Sequence, residues 1–383
     1  MSEKIKLLHI SRATEFGIYR FLMDLMHYTD KNKFEITFAG PERGPLLDDL
    51  RDLGVRVIPL GMERDINFGA DVKSFFSIFA MLKKEKCDIL HTHCSKAGFL
   101  ARIAGRLLGI SPIIHTPNNW YFDEPLPPLK KDFYIALERF ACYFGNMLVT
   151  VTEEERREII RRKISPPEKV VTIYDCIDTS VLKEENPAFI RDRYNIPAGN
   201  KIVGMIARLV PQKDPSAFVR LACEVTREIP NVTFILVGDG PLKAEAERLK
   251  LQFGLGNRLI ISGECDIKKE LNAYLSLLDI SVLTSLHEGL PLVALQSMYF
   301  KKPLLVTEVR GIKEVIENGR NGFIVPIGDI NSMKNIISEL LTDEGRVRGI
   351  GLAARKTVEE RFTAKKMAAE YENLYLSLLK KAG

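Results

Sequence analysis

Arg208 and Lys213 stand five residues apart, just after a short apolar run at 202–206 that reads as a buried strand. An arginine at the carboxyl end of such a strand faces the crevice where open α/β sheets bind ligands. A lysine five residues on converges with it if the intervening loop turns back, and two cations there suit a diphosphate. Spacing alone fits equally well a pair of solvated loop charges. A second segment, Ser285-Leu286-His287-Glu288-Gly289-Leu290-Pro291, follows the apolar run at 280–284. Pro291 suits the first position of a helix, and Gly289 lets backbone approach a ligand closely. The free amides of a helix start attract an anion. Glu288 beside them would repel a bare phosphate, so it suits sugar hydroxyls better; the alternative is that it caps the helix.

The histidines are less telling. His91 and His93 are two apart on a strand and share a face, as a metal pair would. No third ligand stands at useful spacing, so no metal site is expected. His115 ends the run 112–115, and a lone histidine there is more often structural on spacing alone. Ser95 and Lys96 open a helix and offer themselves to a phosphate or an acceptor. The stretch 115–122 carries Asn118, Asn119 and the only tryptophan, Trp120. The Trp120 ring suits stacking on a sugar or touching a lipid chain, or is incidental to a surface loop. No two aspartates are spaced D-x-D, an arrangement that commonly holds a divalent metal on a donor diphosphate. Side-chain cations and a helix start would do that work instead. The loop at 14–17 is no G-x-G-x-x-G fingerprint, which argues against a nicotinamide enzyme.

These residues need a scaffold, and the chain supplies one twice. Apolar runs at 5–10, 34–39, 55–60, 88–91, 112–115, 147–151 and 170–173 alternate with helical patterns such as 19–28, 72–84, 97–108 and 129–144. A second series, at 202–206, 233–237, 259–262, 280–284, 303–306 and 323–325, follows a polar stretch at 175–200. Regular strand and helix alternation predicts parallel sheets covered on both faces. The expectation is therefore two Rossmann-like, doubly wound α/β domains, 1–180 and 181–362, with a ligand cleft between them. Phe75, Phe76, Phe79 and Leu82, followed by Lys83, Lys84 and Lys86, fit an anionic membrane surface or a core-facing helix with a basic end; the second is favoured. Alternating charge at 156–163 reads as a solvated helix.

Bulk composition narrows the class. With 383 residues, 46% hydrophobic and 27% charged, the chain is globular and long enough for two cores. A net charge of +5 is too small and too dispersed to argue nucleic-acid binding. Six scattered cysteines without a C-x-x-C pair point to a reducing compartment. No signal-like apolar segment precedes the strand at 5–10, and no run approaches a membrane span, so a cytosolic protein is expected.

Four strings now gain meaning together: G-M-I-A-R-L-V-P-Q-K-D at 204–214, V-G-D-G-P at 237–241, H-E-G-L-P-L-V-A-L-Q at 287–296 and G-x-x-E-V-I-E-N-G-x-N-G-F-I-V-P at 311–326. In order and spacing they resemble the retaining GT-B glycosyltransferases of the large bacterial family 4/group 1 type. Y-x-C-I-D at 174–178 is similar to that family's interdomain segment. The resemblance implies that Arg208 and Lys213 bind the donor diphosphate and that Glu288, first carboxylate of an E-x7-E motif, contacts the sugar. Gln296 stands where the second glutamate would hold the ribose, and its amide accepts less strongly than a carboxylate. His115 matches an active-site histidine near the transferred sugar, and Gly17 is what remains of a Gly-rich loop. Glu264, Gly289, Leu290, Pro291 and Leu292 complete the implied donor contacts, with Ser95, Lys96, Asn118 and Trp120 on the acceptor side. The implied reaction retains anomeric configuration and lets the leaving phosphate take the acceptor's proton, with no metal or cofactor. A UDP-sugar is the expected donor, GDP being the main rival, and a glycolipid or polysaccharide precursor the expected acceptor. The helix 363–383 would return to the first domain, and peripheral contact with the inner face of a membrane would fit. The competing readings are a nucleotide-sugar epimerase and a non-catalytic nucleotide-sugar-binding subunit.

Overall fold

The computed structural model describes residues 3–63, 66–118, 120–123, 126–266 and 269–382. The chain divides into two compact units, Met1–Ile177 with Ala364–Gly383, and Asp178–Thr363. The first unit runs β1 (Ile5–Ile10), α1 (Phe16–Tyr28), β2 (Phe34–Gly40), α2 (Pro45–Asp52), β3 (Arg56–Pro59), α3 (Phe68–Glu85), β4 (Ile89–His93), α4 (Ser95–Leu107), β5 (Ile113–Thr116), α5 (Pro128–Cys142), β6 (Met147–Thr150), α6 (Glu153–Arg161) and β7 (Val170–Thr172). Its seven strands are parallel in the order β3-β2-β1-β4-β5-β6-β7. Central strands read as nearly unbroken apolar runs because both of their faces are covered; Leu7, Leu8, Ile10, Ile89 and Leu90 are all buried.

The second unit runs α7 (Ala188–Arg193), β8 (Lys201–Ile206), α8 (Pro215–Glu228), β9 (Val232–Val237), α9 (Lys243–Gln252), β10 (Leu259–Gly263), α10 (Leu271–Leu277), β11 (Ile280–Leu283), α11 (Leu292–Tyr299), β12 (Leu304–Thr307), β13 (Phe323–Val325), α12 (Ile330–Thr342) and α13 (Glu344–Arg361). Six parallel strands order as β10-β9-β8-β11-β12-β13. In each sheet the order reverses once, at β1/β4 and at β8/β11. The crevice outside the carboxyl ends of such a strand pair is where doubly wound sheets take ligands.

The last helix, α14 (Ala364–Ala382), belongs to the first unit and packs on α1. Ala364 N–H donates to the Ile177 carbonyl at 2.9 Å, so the chain re-enters beside the point where it left. Buried Tyr371 and Tyr375 carry their hydroxyls to Thr116 (3.2 Å) and to His91 Nδ1 (2.7 Å). On α3, Phe75, Phe79 and Leu82 face the core as favoured, while Phe76 faces outward. The charged stretch at 156–163 falls largely on α6, whose N-cap Thr152 accepts from Glu155 N–H at 3.1 Å.

Asp175 lies in the segment where the chain leaves the first unit. Its Oδ1 is buried without a hydrogen-bond partner. Burial first, then the charges of Glu155 and Asp24, push the carboxyl up to about 7. A raised carboxyl pKa favours folding while the group is protonated, and that advantage is lost as pH rises from the ordinary carboxylate range through 7. Asp175→Asn is therefore expected to gain about 1–3 kcal/mol in urea unfolding at about pH 8 and close to nothing at about pH 4. An equal effect at both pH values would contradict this account.

Candidate functional site

β8 and β11 pair directly, with Ile280 opposite Val203 and Ser281 opposite Gly204. The two segments singled out in the sequence therefore leave the sheet side by side. After β8 the chain makes a 3-10 turn at Pro211–Lys213, and Asp214 adopts a left-handed conformation (φ 42°). Asp214 Oδ1 then accepts from Ala217 N–H at 3.0 Å and starts α8. That reversal returns Lys213 toward the β11 loop. Leu286 N–H donates to the Gln212 carbonyl at 2.8 Å, and Thr284 Oγ1 to the carbonyls of Lys213 and Asp214 at 3.0 and 2.8 Å.

Lys213 is not a solvated loop charge. Its Nζ pairs with Glu288 Oε1, and both side chains are largely buried. Ser285 Oγ donates to the same oxygen at 2.8 Å, and Gln212 Nε2 reaches Glu288 Oε2 at 3.4 Å and the His287 carbonyl at 3.0 Å. Nor does Glu288 cap α11, since no side chain does. Pro291 stands one residue earlier than the spacing predicts, as an extended N-cap (ψ 114°) rather than the first helical residue. Leu292 begins the helix; Leu290 and Pro291 are buried, Gln296 is half-buried and Gly289 is exposed. Arg208 is exposed in the loop that follows β8, whereas Glu264 follows β10, with β9 between it and β8.

The V-G-D-G-P string has a structural task. Ala207 N–H donates to the Val237 carbonyl at 2.9 Å and Leu209 N–H to the Asp239 carbonyl at 2.8 Å, which clamps the residues flanking Arg208. A Cβ on Gly238 (φ 140°) would stand 1.9 Å from the Ala207 oxygen. The sequence announces no role for Gln212, Thr284 and Ser285, although Gln212 sits inside one of the family-like strings; polar residues at strand ends carry no pattern that marks a partner on another loop.

The first unit corrects several expectations. His115, expected near the sugar, is 1% exposed and lies under α4, with Nδ1 at 2.9 Å from Thr92 Oγ1. A Cβ on Gly98 would come within 2.2 Å of its ring, so that glycine makes room for the imidazole. Burial foremost, then the Arg102 charge, lowers its pKa well below the usual range. Trp120 is also 1% exposed: its ring stacks on Phe122 and its Nε1 donates to Glu155, so no face is open to sugar or lipid. Lys96 is paired with Asp71. Ser95 is half-buried at the start of α4, and Gly17, in the first turn of α1, is exposed with open space around a notional Cβ. Asn119 lies outside the described residues.

His91 and His93 do have a third imidazole close by, His9 on β1, which sheet register supplies and sequence spacing does not. His9 Nδ1 and His93 Nε2 are 3.0 Å apart; His91 is held by Tyr375 and by Thr116 Oγ1 at 2.8 Å. Burial is the first cause lowering all three pKa values, His93 to about 3. With Asn118 Oδ1 accepting from His93 Nδ1 at 3.4 Å, His9, His93 and Asn118 form a hydrogen-bonded chain, which His91 joins by ring contact alone. Asn118 itself is half-buried at the carboxyl end of β5, in a left-handed conformation (φ 59°), with its Nδ2 lacking a partner.

The model of the "Glycosyl transferases group 1" family matches residues 187–357, and that of "Glycosyltransferase Family 4" matches residues 17–181. The chain belongs to the family 4/group 1 glycosyltransferases. Among curated relatives, it is similar to the Escherichia coli UDP-Gal:alpha-D-GlcNAc-diphosphoundecaprenol alpha-1,3-galactosyltransferase, with 29% identity over 98% of each chain. It also resembles N-acetyl-alpha-D-glucosaminyl L-malate synthase of Bacillus anthracis, 27% identical over 78% of this chain and 77% of the relative. Anabaena HepE in complex with UDP superposes with a TM-score of 0.83 at 20% identity, covering 98% of this chain and all of that one. At that identity the likeness shows the shared GT-B fold of the transferase.

Gly238→Ala is expected to destabilise the transferase by about 2–4 kcal/mol, from the clash and the strained φ together. Denaturant unfolding of the second unit measures it; a change below about 0.5 kcal/mol would show that the loop carrying Arg208 is not held this way.

Proposed function

We propose that the enzyme moves a hexosyl or N-acetylhexosaminyl group from a UDP-sugar to a hydroxyl of a glycolipid or polysaccharide precursor, retaining anomeric configuration and needing no metal or cofactor. The observation that carries this reading is the Lys213–Glu288 pair, braced by Ser285 and Gln212, at the β8/β11 switch point, where β8 also leads into Arg208. The relatives support the donor and acceptor classes: one is named for UDP-Gal and a diphosphoundecaprenol acceptor, and HepE is described in complex with UDP and with UDP-glucose.

The second unit takes the donor. Arg208 and Lys213 meet the diphosphate, and the backbone N–H groups of Gly289, Leu290 and Leu292 around the uncapped start of α11 are offered to it. Glu288, whose charge Lys213 balances, accepts from sugar hydroxyls, and Gln296 bonds the ribose diol. The first unit takes the acceptor, and there half-buried Asn118, at the carboxyl end of β5, replaces fully buried His115 as the residue assigned to a hydroxyl. In the step itself the bond from anomeric carbon to phosphate oxygen breaks and the acceptor oxygen forms a new bond on the same face. The acceptor's proton passes to the leaving phosphate, so no separate base is required. Cations already in place stabilise the developing charge without reorganisation. Free cysteines throughout fit work on the cytoplasmic side.

Arg208→Ala and Lys213→Ala are each expected to lower kcat/KM for transfer about 100-fold or more, with circular dichroism showing both folded; Lys213→Ala, which leaves Glu288 without its cation, is expected to melt at a lower temperature than Arg208→Ala. Full activity in both would refute the assignment. Chelation with EDTA is expected to leave the rate unchanged; a loss reversed by Mg2+ or Mn2+ would refute metal independence.

A further inference from the structure

Helix α5 carries two apolar stripes. The inner one, with Ile135 and Ala141 buried, lies against the sheet layer, and the buried pair Arg102–Glu138 (2.6 Å) fastens it to α4. The outer one consists of Leu129, Phe133, Ala136, Phe140 and, at the C-cap, Tyr143, recurring at intervals of four and three residues. All five are exposed, Leu129 by 86% and Tyr143 by 77%. A helix whose second face repeats at that period presents a continuous apolar seam, where a solvated face would be polar. Scattered single apolar residues are ordinary on a surface, but a two-heptad stripe of large ones is not.

α3 belongs to the same helical layer, since it packs on α4 and α4 packs on α5. It too shows an outer stripe, Phe68, Val72 and Phe76, at intervals of four. The exposed charges around both stripes are mostly basic. Lys73, Lys83, Lys84 and Lys130 are exposed, whereas Asp71 is tied to Lys96, Glu85 to Arg56 and Glu138 to Arg102. Asp132 is the exposed acid on α5. A second copy seated on this face would set lysine against lysine. A sheet of anionic lipid headgroups supplies the opposite charge, and its acyl boundary takes the aromatic and leucine side chains.

We propose that the outer faces of α3 and α5 form a docking surface for an anionic lipid bilayer. This extends the glycolipid-acceptor reading and rests on it: an enzyme lying on the bilayer meets a lipid-linked acceptor at its headgroup. Among the described residues no helix is long and apolar enough to cross a membrane, so the contact is interfacial.

Co-sedimentation of the full chain with vesicles tests it, using phosphatidylcholine alone and phosphatidylcholine mixed with phosphatidylglycerol. The wild type is expected to pellet with the mixed vesicles and to release at high salt. Leu129→Asp with Phe133→Asp, and separately Lys73→Glu with Lys130→Glu, are expected to weaken binding at least about tenfold. Both pairs should keep the wild-type rate with a short, water-soluble acceptor. Wild type left in the supernatant, or pelleting unaffected by both pairs, overturns the proposal. So does a self-associated wild type that the apolar pair makes monomeric, since that gives the face to a second copy. Vesicle binding without any sugar transfer would instead count against the functional reading alone, so the two failures are distinguishable.

Discussion

The hydrogen-bonded pairing of β8 with β11 decides where charge can gather in the second unit, because two strands distant in sequence then deliver their loops to one place. Arg208 leaves the first strand and Glu288 follows the second. The left-handed turn at Asp214 brings Lys213 back across the gap. Without that adjacency the cation and the carboxylate would be separate loop charges worth little in water. With it, they form a largely buried pair braced by two further polar groups. The site can then present a positive edge to a phosphate while keeping a carboxylate nearby, which isolated Coulomb reasoning would forbid.

Rigidity around this pair comes mostly from backbone. The glycines at 238 and 240 let one loop lie against another with no side chain between, and the Val237 and Asp239 carbonyls that precede them clamp both neighbours of Arg208. Thr284 ties the strand end to the turn. An electrostatic catalyst gains from such fixed placement, since dipoles and charges that need not reorient act at full strength when leaving-group charge develops.

Much of the scaffold was legible in the sequence, since buried parallel strands are apolar runs and runs of that length are hard to hide. The donor-side strings were legible for a similar reason: glycine, proline and charge at fixed offsets reflect turns that the strand ends require. What escaped depended on register. His115 pairs with Thr92 across β5 and β4, so it faces away from His91 and His93, and no one-strand pattern reveals that parity. His9 joins the other two histidines by pairing of β1 with β4, for the same reason. Trp120 was misjudged because a residue in a loop can still face inward, here over Phe122. On α5, apolar residues on both faces blur the helical pattern, and only burial separates the stripe that holds the fold from the stripe left to solvent.

The central claim is that this site is built for the outer phosphate of a nucleoside diphosphate. Titration calorimetry with UDP and UMP measures it directly, on the wild type and on Arg208→Ala and Lys213→Ala. The account predicts that UDP binds at least about tenfold more tightly than UMP, a difference of about 1.4 kcal/mol, and that either substitution removes most of that preference. Equal affinity for the two nucleotides, or a preference that survives both substitutions, would contradict it.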